Sequence, residues 1–450
     1  MPSDSMALGT RARRHVRLQL LGVVVFLAAV LVLVAGTGSG RAQEILPSVG
    51  PETVPGTGLM RYSHTWRLAT NHDAYRYLIV GRNTARAATR RPGTSLVYHS
   101  GVGVTPDWDA GVPYAVAEAN GWLLRDASGN YLKNLGYSYY TIADVGSAGY
   151  QAEWARRVGD YLASVGADGV FIDDVIGNIS TTSGVFPVKY PTQAAWEDAM
   201  ASFIRAVGAT LKARGFYVLV NAWNWIENDG RSNDGTLIAD WWRRLSPGVS
   251  GFHLEYFNQI HSDHSHRRGD GSAWYEQWLN HSRLIEVAQE GGRDFFGLTY
   301  GSTADVESMR YMRATFLLFW DGEGGGVIYQ DEQGDPWNGE WTADLGLPAG
   351  ARTPVGVGWR RPYEKGTVLV NPSTSKSQTF ALRGAHLTSD GRRVRSAVLP
   401  PRSGLILRWA SGRRAASGPR GSNSSHENPL PSDRSIETLE QHRLERARSS

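Results

Sequence analysis

Short apolar runs alternate with helical stripes along most of the chain. The runs are Met60–Trp66, Arg76–Gly81, Ser95–Ser100, Gly169–Asp174, Phe216–Asn221, Gly251–Phe257, Asp294–Gly301 and Thr315–Gly322. Apolar stretches of this length, bounded by turn residues, read as strands. Between them apolar residues return at three- and four-residue steps, the spacing of an amphipathic helix. Trp154, Val158, Leu162 and Val165 make one such stripe, and Trp196, Met200, Phe203, Val207 and Leu211 make another. The second is framed by Pro191, which suits a first helical turn, and Gly215, which suits a stop. Trp274–Gly291 repeats the theme, and Asp305–Leu318 passes from helical spacing into the eighth run.

Eight strands alternating with helices predict a parallel α/β sheet. A closed (β/α)8 TIM barrel has this size. A doubly wound open sheet would carry a glycine-rich phosphate loop after its first strand. Neither G-x-G-x-x-G after the second run nor G-x-x-x-x-G-K-[ST] anywhere is found, so the barrel is favoured, over residues 57–335. Beyond it the pattern changes to short strands and turns without helix, in GTVLVNPS, SQTFALRG, RSAVLPPRSG and LILRW. Residues 336–410 therefore read as a small C-terminal antiparallel β domain. Residues 411–450 are polar and rich in Pro, Ser and Gly, the composition of a disordered tail.

The opposite end differs again. Basic residues in Arg11–Arg17 precede an uncharged apolar run, Leu18–Gly36, about as long as a membrane span of roughly 20 residues. Residues 1–43 read as a signal anchor or a cleaved signal peptide, and residues 44–56 as a linker. In either case positive charge ahead of the apolar run directs the rest of the chain outside the cytoplasm. The protein is then secreted, or held on the outer face of the cytoplasmic membrane by its N-terminal helix.

Composition narrows the chemistry. With 47 basic and 43 acidic residues the net charge is +4, no footprint for nucleic acid. The absence of cysteine excludes disulfides, thiolate metal sites and a cysteine nucleophile. G-x-S-x-G and H-E-x-x-H are also missing. The crowded HSDHSHRR, His261–Arg268, reads as a solvated loop over the cleft, because metal sites usually draw ligands from separate elements. No cofactor is implied.

In a parallel barrel, chemistry gathers where strands end. The runs end on His64 and Trp66; Tyr98 and His99; Asp173 and Asp174; Asn221, Trp223 and Trp225; His253 and Glu255; Tyr300; and Trp320, Asp321 and Glu323. Carboxylates, amides and aromatics on one rim suit a carbohydrate cleft, with aromatic faces free to stack on sugar rings. Glycosidic cleavage commonly needs two carboxyl groups facing each other across the bond. Asp173 and Asp174 cannot both face the mouth while their strand stays regular, since adjacent residues point to opposite faces. Both faces of a barrel strand are apolar, so periodicity does not choose between them.

The stretch ADGVFIDDV resembles the fourth-strand motif of α-amylase-like and polygalactosaminidase-like barrels. That likeness runs from Asp168 to Asp173 and implies Asp173 as the active-site acid. It departs from the α-amylase pattern at the next strand, which ends on Asn221, and agrees better with barrels that take the second acid from the sixth, here Glu255. More widely, HTW (His64–Trp66), GVFIDDV, HLEYF and WRRPYEKGTVLVNPS resemble, in order, glycoside-hydrolase-like family fifteen, barrels with a β-rich C-terminal domain. The expectation is a glycoside hydrolase acting on an extracellular polysaccharide or oligosaccharide. Asp173 is expected as nucleophile, or as base if the outcome is inversion, and Glu255 as general acid. Asp174, Asn221, Trp66, Tyr98, Trp223, Tyr300, Trp320 and Asp321 are the expected sugar-binding residues, with Glu323 and Asp321 in reserve as second carboxylate. The alternative is a cell-surface barrel that binds carbohydrate without cleaving it.

Overall fold

The computed structural model describes residues 58–63, 75–89, 93–107, 111–224, 235–258, 271–301, 304–330 and 344–410, all within the unit Ser48–Ser450. The N-terminal apolar stretch, the linker, the C-terminal tail, Trp66, Trp225 and the histidine-rich segment 261–268 lie outside the described residues. No described helix is long and apolar enough to cross a membrane.

Eight parallel strands close a barrel in chain order. They are β1 (Gly58–Ser63), β2 (Tyr77–Val80), β3 (Thr94–Ser100), β4 (Gly169–Ile176), β5 (Tyr217–Trp223), β6 (Gly251–Glu255), β7 (Asp294–Tyr300) and β8 (Gly326–Gln330). β1 pairs with both β2 and β8, which closes the ring. The crossover helices are α1 (Ala148–Val165), α2 (Gln193–Ala213), α3 (Gly235–Leu245), α4 (Gly271–Glu290) and α5 (Val306–Phe319). Local chemistry sets their limits. Ser147 and Thr192 accept the Tyr150 and Ala195 N–H groups at the starts of α1 and α2, replacing partners that a first turn lacks. Gly166 ends α1 at φ 71°, a conformation only glycine adopts cheaply.

Alternate residues of each strand fill two different layers. Inside the barrel, Phe171 of β4 meets His253 of β6 at 5.1 Å and Tyr77 of β2 meets Phe296 of β7 at 4.7 Å. Outside it, Phe252 stacks on Trp242 of α3 at 4.6 Å. Gly169 at the foot of β4 has a packing reason: a Cβ there would strike the Tyr217 carbonyl of β5. Asp168, just before it, accepts the Ser95 N–H at 2.7 Å and ties β3 to β4 at the end of the barrel away from the mouth.

The eighth strand is not where the sequence pattern placed it. Thr315–Phe319 completes helix α5, and the strand is Gly326–Gln330. The reason lies in the surroundings of α5. Every residue from Ser308 to Phe319 except Arg310 is buried, because barrel and C-terminal sheet cover opposite sides of the helix. Its last turn, Phe316–Phe319, is apolar on every side, so it shows no stripe and reads as a buried strand.

The C-terminal strands are β9 (Thr353–Val355), β10 (Gly358–Tyr363), β11 (Gly366–Asn371), β12 (Gln378–Leu387), β13 (Arg393–Leu399) and β14 (Ser403–Trp409). They form one antiparallel-paired sheet in the order β9-β10-β11-β14-β12-β13. It also finishes α5 chemically. Tyr363 donates to the Leu317 carbonyl at 2.6 Å and Arg361 to that of Leu318 at 3.0 Å. These are carbonyls that a helix end leaves unpaired.

Candidate active site

The site is built on an irregularity in β4. Pairing with β5 slips between Ile172 and Val175, and Asp174 takes φ 59°. This is a bulge, and aspartate is among the few residues that tolerate the left-handed region. Asp173 keeps the inward face of Phe171, and the extra residue swings Asp174 toward the mouth as well. The Asp174 carboxylate accepts from Ser100 Oγ of β3 at 3.1 Å, while its N–H donates to Asp173 Oδ1 at 2.9 Å. The alternation rule failed here because the strand is not regular where the two acids stand.

Opposite them, Glu255 closes β6. Its Oε1 accepts from the Tyr300 hydroxyl at 2.7 Å and its Oε2 from Asn221 Nδ2 at 3.2 Å. The same Asn221 nitrogen donates to Asp173 Oδ1 at 2.9 Å. Three acids from two strands thus share one pocket, and the buried Asn221 amide spans the pair expected to do chemistry. Asn221 is a positioning group between them rather than a residue on an open face.

Electrostatics separates the acids. Burial, then the charge of Asp173, pushes Glu255 up to about 7. Burial, then Asp173 and more weakly Glu255, pushes Asp174 up to about 8, against the opposing Ser100 hydrogen bond. Tyr300 is held far above its ordinary value by burial and by Glu255, so it remains a proton donor to that carboxyl.

The other expected residues divide. Tyr300 joins the site. Trp223 is buried, with its ring 6.3 Å from Tyr256, itself 5.3 Å from Tyr300, so these rings wall the Glu255 side. Tyr98 pairs in register with Phe171, one layer beneath the Ser100–Asp173 pair. It lines the barrel interior below the acids. Trp320 and Asp321 do not reach the mouth. Trp320 is buried and donates to the Gly324 carbonyl at 3.0 Å. Asp321 and Glu323 act electrostatically on Asp294, the first residue of β7. They belong to the loop before β8, at the end opposite Glu255, and their assignment to the rim fell with the misplaced eighth strand. Ser100, Tyr256, Tyr137 and Tyr139 were not singled out from the sequence. The last two lie within electrostatic reach of the acids, on the long segment after β3, where YSYY in a polar stretch was the available signal.

A family model described as hypothetical glycosyl hydrolase family 15 matches residues 98–367, a span from Tyr98 in β3 through the start of β11 that includes all three acids. The chain belongs to this family. No curated protein matches it. Among solved structures, it is similar to a noncanonic maltogenic alpha-amylase from Thermotoga neapolitana, with 10% identity over 74% of this chain and 90% of that one and a TM-score of 0.47. It is also similar to an alpha-amylase from Geobacillus thermoleovorans complexed with acarbose, with 11% identity, 80% and 100% coverage and a TM-score of 0.41. A GH36 alpha-galactosidase from Geobacillus stearothermophilus gives 9% identity, 78% and 55% coverage and a TM-score of 0.45.

The raised acids of this member of the hypothetical glycosyl hydrolase family 15 have a consequence for stability. Glu255 and Asp174 keep their protons in the folded state at pH values where the unfolded chain has released them. Folding therefore takes up protons between the ordinary carboxyl range near 4 and the folded values of about 7 and about 8. Stability falls as pH rises through that window and levels off above it. Asp174→Asn, neutral at every pH, is expected to flatten the fall. Urea midpoints of both proteins from pH 4 to 9 test this; curves that stay parallel throughout would contradict it.

Proposed function

We propose that this protein is a retaining glycoside hydrolase, with Asp173 as nucleophile and Glu255 as general acid and then base. One observation carries the reading: a single Asn221 nitrogen donates to both acids, at 2.9 and 3.2 Å. The two bonded oxygens therefore lie within about 6 Å of each other, and closer once the divergence of the amide N–H bonds is counted. Retaining enzymes hold their carboxyls at about 5–5.5 Å, whereas inverting ones need about 6.5–9.5 Å to admit a water.

The steps follow from the geometry. The Asp173 carboxylate attacks the anomeric carbon while Glu255 gives its proton to the departing glycosidic oxygen. A glycosyl ester on Asp173 results. Water then attacks the same carbon, Glu255 takes up its proton, and Asp173 leaves as carboxylate. A general acid with a value near 7 is suited to both directions of transfer. Asp174, kept protonated near neutrality, offers a hydrogen bond to a sugar hydroxyl without adding a third charge to the pocket. The charge pattern of residues 1–43 supports a place of action outside the cytoplasm, on an extracellular polysaccharide or oligosaccharide.

The decisive measurement is the configuration of the first sugar released from a glycan that the purified protein cleaves, followed by NMR before mutarotation. Retention is expected. Inversion would remove the nucleophile role from Asp173.

A further inference from the structure

The mouth has a second feature that the acids do not use. The excursion between β3 and α1 lies on the same barrel face as Asp173, because it follows the end of β3. It carries Tyr137 and Tyr139, which are 54% and 40% exposed, on a turn that is fixed from beneath. The Asn134 side chain, itself buried, accepts the Gly136 and Tyr137 N–H groups at 2.9 and 3.1 Å. The Tyr140 N–H closes the turn on the Tyr137 carbonyl at 2.8 Å. Tyr140 is buried and packs so closely on Gly103 that a Cβ there would collide with its ring. Tyr139 rests on Tyr140 at 4.8 Å and Tyr137 on Tyr139 at 5.9 Å. The turn is also joined to the loop after β4, through the Leu135 N–H and the Thr182 carbonyl at 2.8 Å.

Two large rings are thus held out to solvent by a built support, beside a cleft of acids. Their nearness to the acids has an electrostatic sign: partial burial of the half-exposed ring, then Asp174, Glu255 and Asp173, pushes the Tyr137 phenol up to about 12, and partial burial, then Asp174, raises that of Tyr139. Among the described residues, the charged groups acting on Tyr137 are acids, with the Asp173 carboxylate joined by Glu255 and Asp174 as pH rises past about 7 and about 8. A uronic or phosphorylated sugar would bring a further negative charge into that field, at a cost that low dielectric enlarges. A neutral pyranose brings an apolar face of C–H groups suited to an aromatic plane.

We infer that Tyr137 and Tyr139 form a stacking platform for successive units of a neutral pyranose chain, adjoining the bond held between Asp173 and Glu255. The inference rests on the hydrolase reading for its neighbour site, but its test does not. The site then selects a chain of at least two or three units over a monosaccharide, and a neutral chain over an anionic one.

The test is binding in the full chain carrying Asp173→Asn, where turnover cannot consume the ligand. The probes are ladders of neutral α- and β-linked gluco- and galacto-oligosaccharides from one to six units, with oligogalacturonides for comparison, read by calorimetry. Affinity is expected to climb with neutral chain length. Y137A and Y139A should each lower the affinity of the longer chains about tenfold and flatten the climb, while Y137F and Y139F restore it within about twofold. Melting curves check that each variant is folded. The platform is overturned if the alanine variants bind long chains as the parent does, if oligogalacturonides bind more tightly than the neutral ladder, or if no neutral ladder binds. If the parent protein cleaves none of the glycans it binds, and the alanine variants still weaken binding, the platform stands and the hydrolase reading falls.

Discussion

Asp173→Asn is expected to reduce turnover of any cleaved glycan by four orders of magnitude or more, roughly 5 kcal/mol or above in activation free energy. An amide cannot attack the anomeric carbon, so the first step loses its covalent route. The fold has little reason to object. An asparagine carbonyl in place of Oδ1 can still accept from Asn221 Nδ2 and from the Asp174 N–H, the two donors that hold Asp173 at 2.9 Å each. Stability should therefore change little compared with activity. Asp173→Ala goes further, leaving room beside the anomeric carbon for a small anion. With an activated aryl glycoside and added azide, it should yield a glycosyl azide of configuration opposite to the substrate, since azide then enters from the nucleophile's side. Unchanged release of reducing ends by Asp173→Asn would sink the assignment of chemistry to this residue. Glycan binding without release by the parent protein would favour the binding module instead.

How much of this was legible in the sequence depends on how local each determinant is. The barrel was legible, because seven of its strands are short apolar runs bounded by turn residues and its first crossover helices carry clear stripes. The eighth strand was not, because α5 is covered on two sides and the cover comes from the C-terminal sheet, remote in sequence. Asp173 and Glu255 stood out as acids ending strands, with a family resemblance to choose between Asp173 and its neighbour. Their meeting through Asn221 was not readable, since it depends on three strands aligning their inward faces at one level. How Asp174 could stand at the mouth beside Asp173 was not readable for a related reason. Alternation presumes an unbroken strand, and nothing in GVFIDDV marks the bulge that its φ of 59° reveals. Tyr137 and Tyr139 escaped because attention to strand ends passes over a long excursion between strand and helix. Such segments are where a rigid scaffold places recognition residues.

Glu255→Gln separates the acid role from every other role in the site. Glutamine can still accept from Asn221 through its carbonyl and turn its amide N–H toward the Tyr300 oxygen, but it has no acidic proton to give. On glycosides with poor leaving groups the loss is expected to be about 10²–10⁴-fold, the usual worth of a positioned acid. On a dinitrophenyl glycoside, whose leaving group departs unprotonated, the first step should be nearly as fast as in the parent, and the ester on Asp173 should accumulate because its hydrolysis lacks a base. The pH profile makes the sign explicit. The parent needs Glu255 protonated for the first step, so its kcat/KM is expected to decline as pH rises past the folded value of about 7. That alkaline limb should vanish in Glu255→Gln. A limb that persists unchanged would mean that another group supplies the proton. Asp174, about 8 and one residue from the nucleophile, would then be the group to replace next, and Glu255 would be left as the partner that Asn221 and Tyr300 merely hold in place.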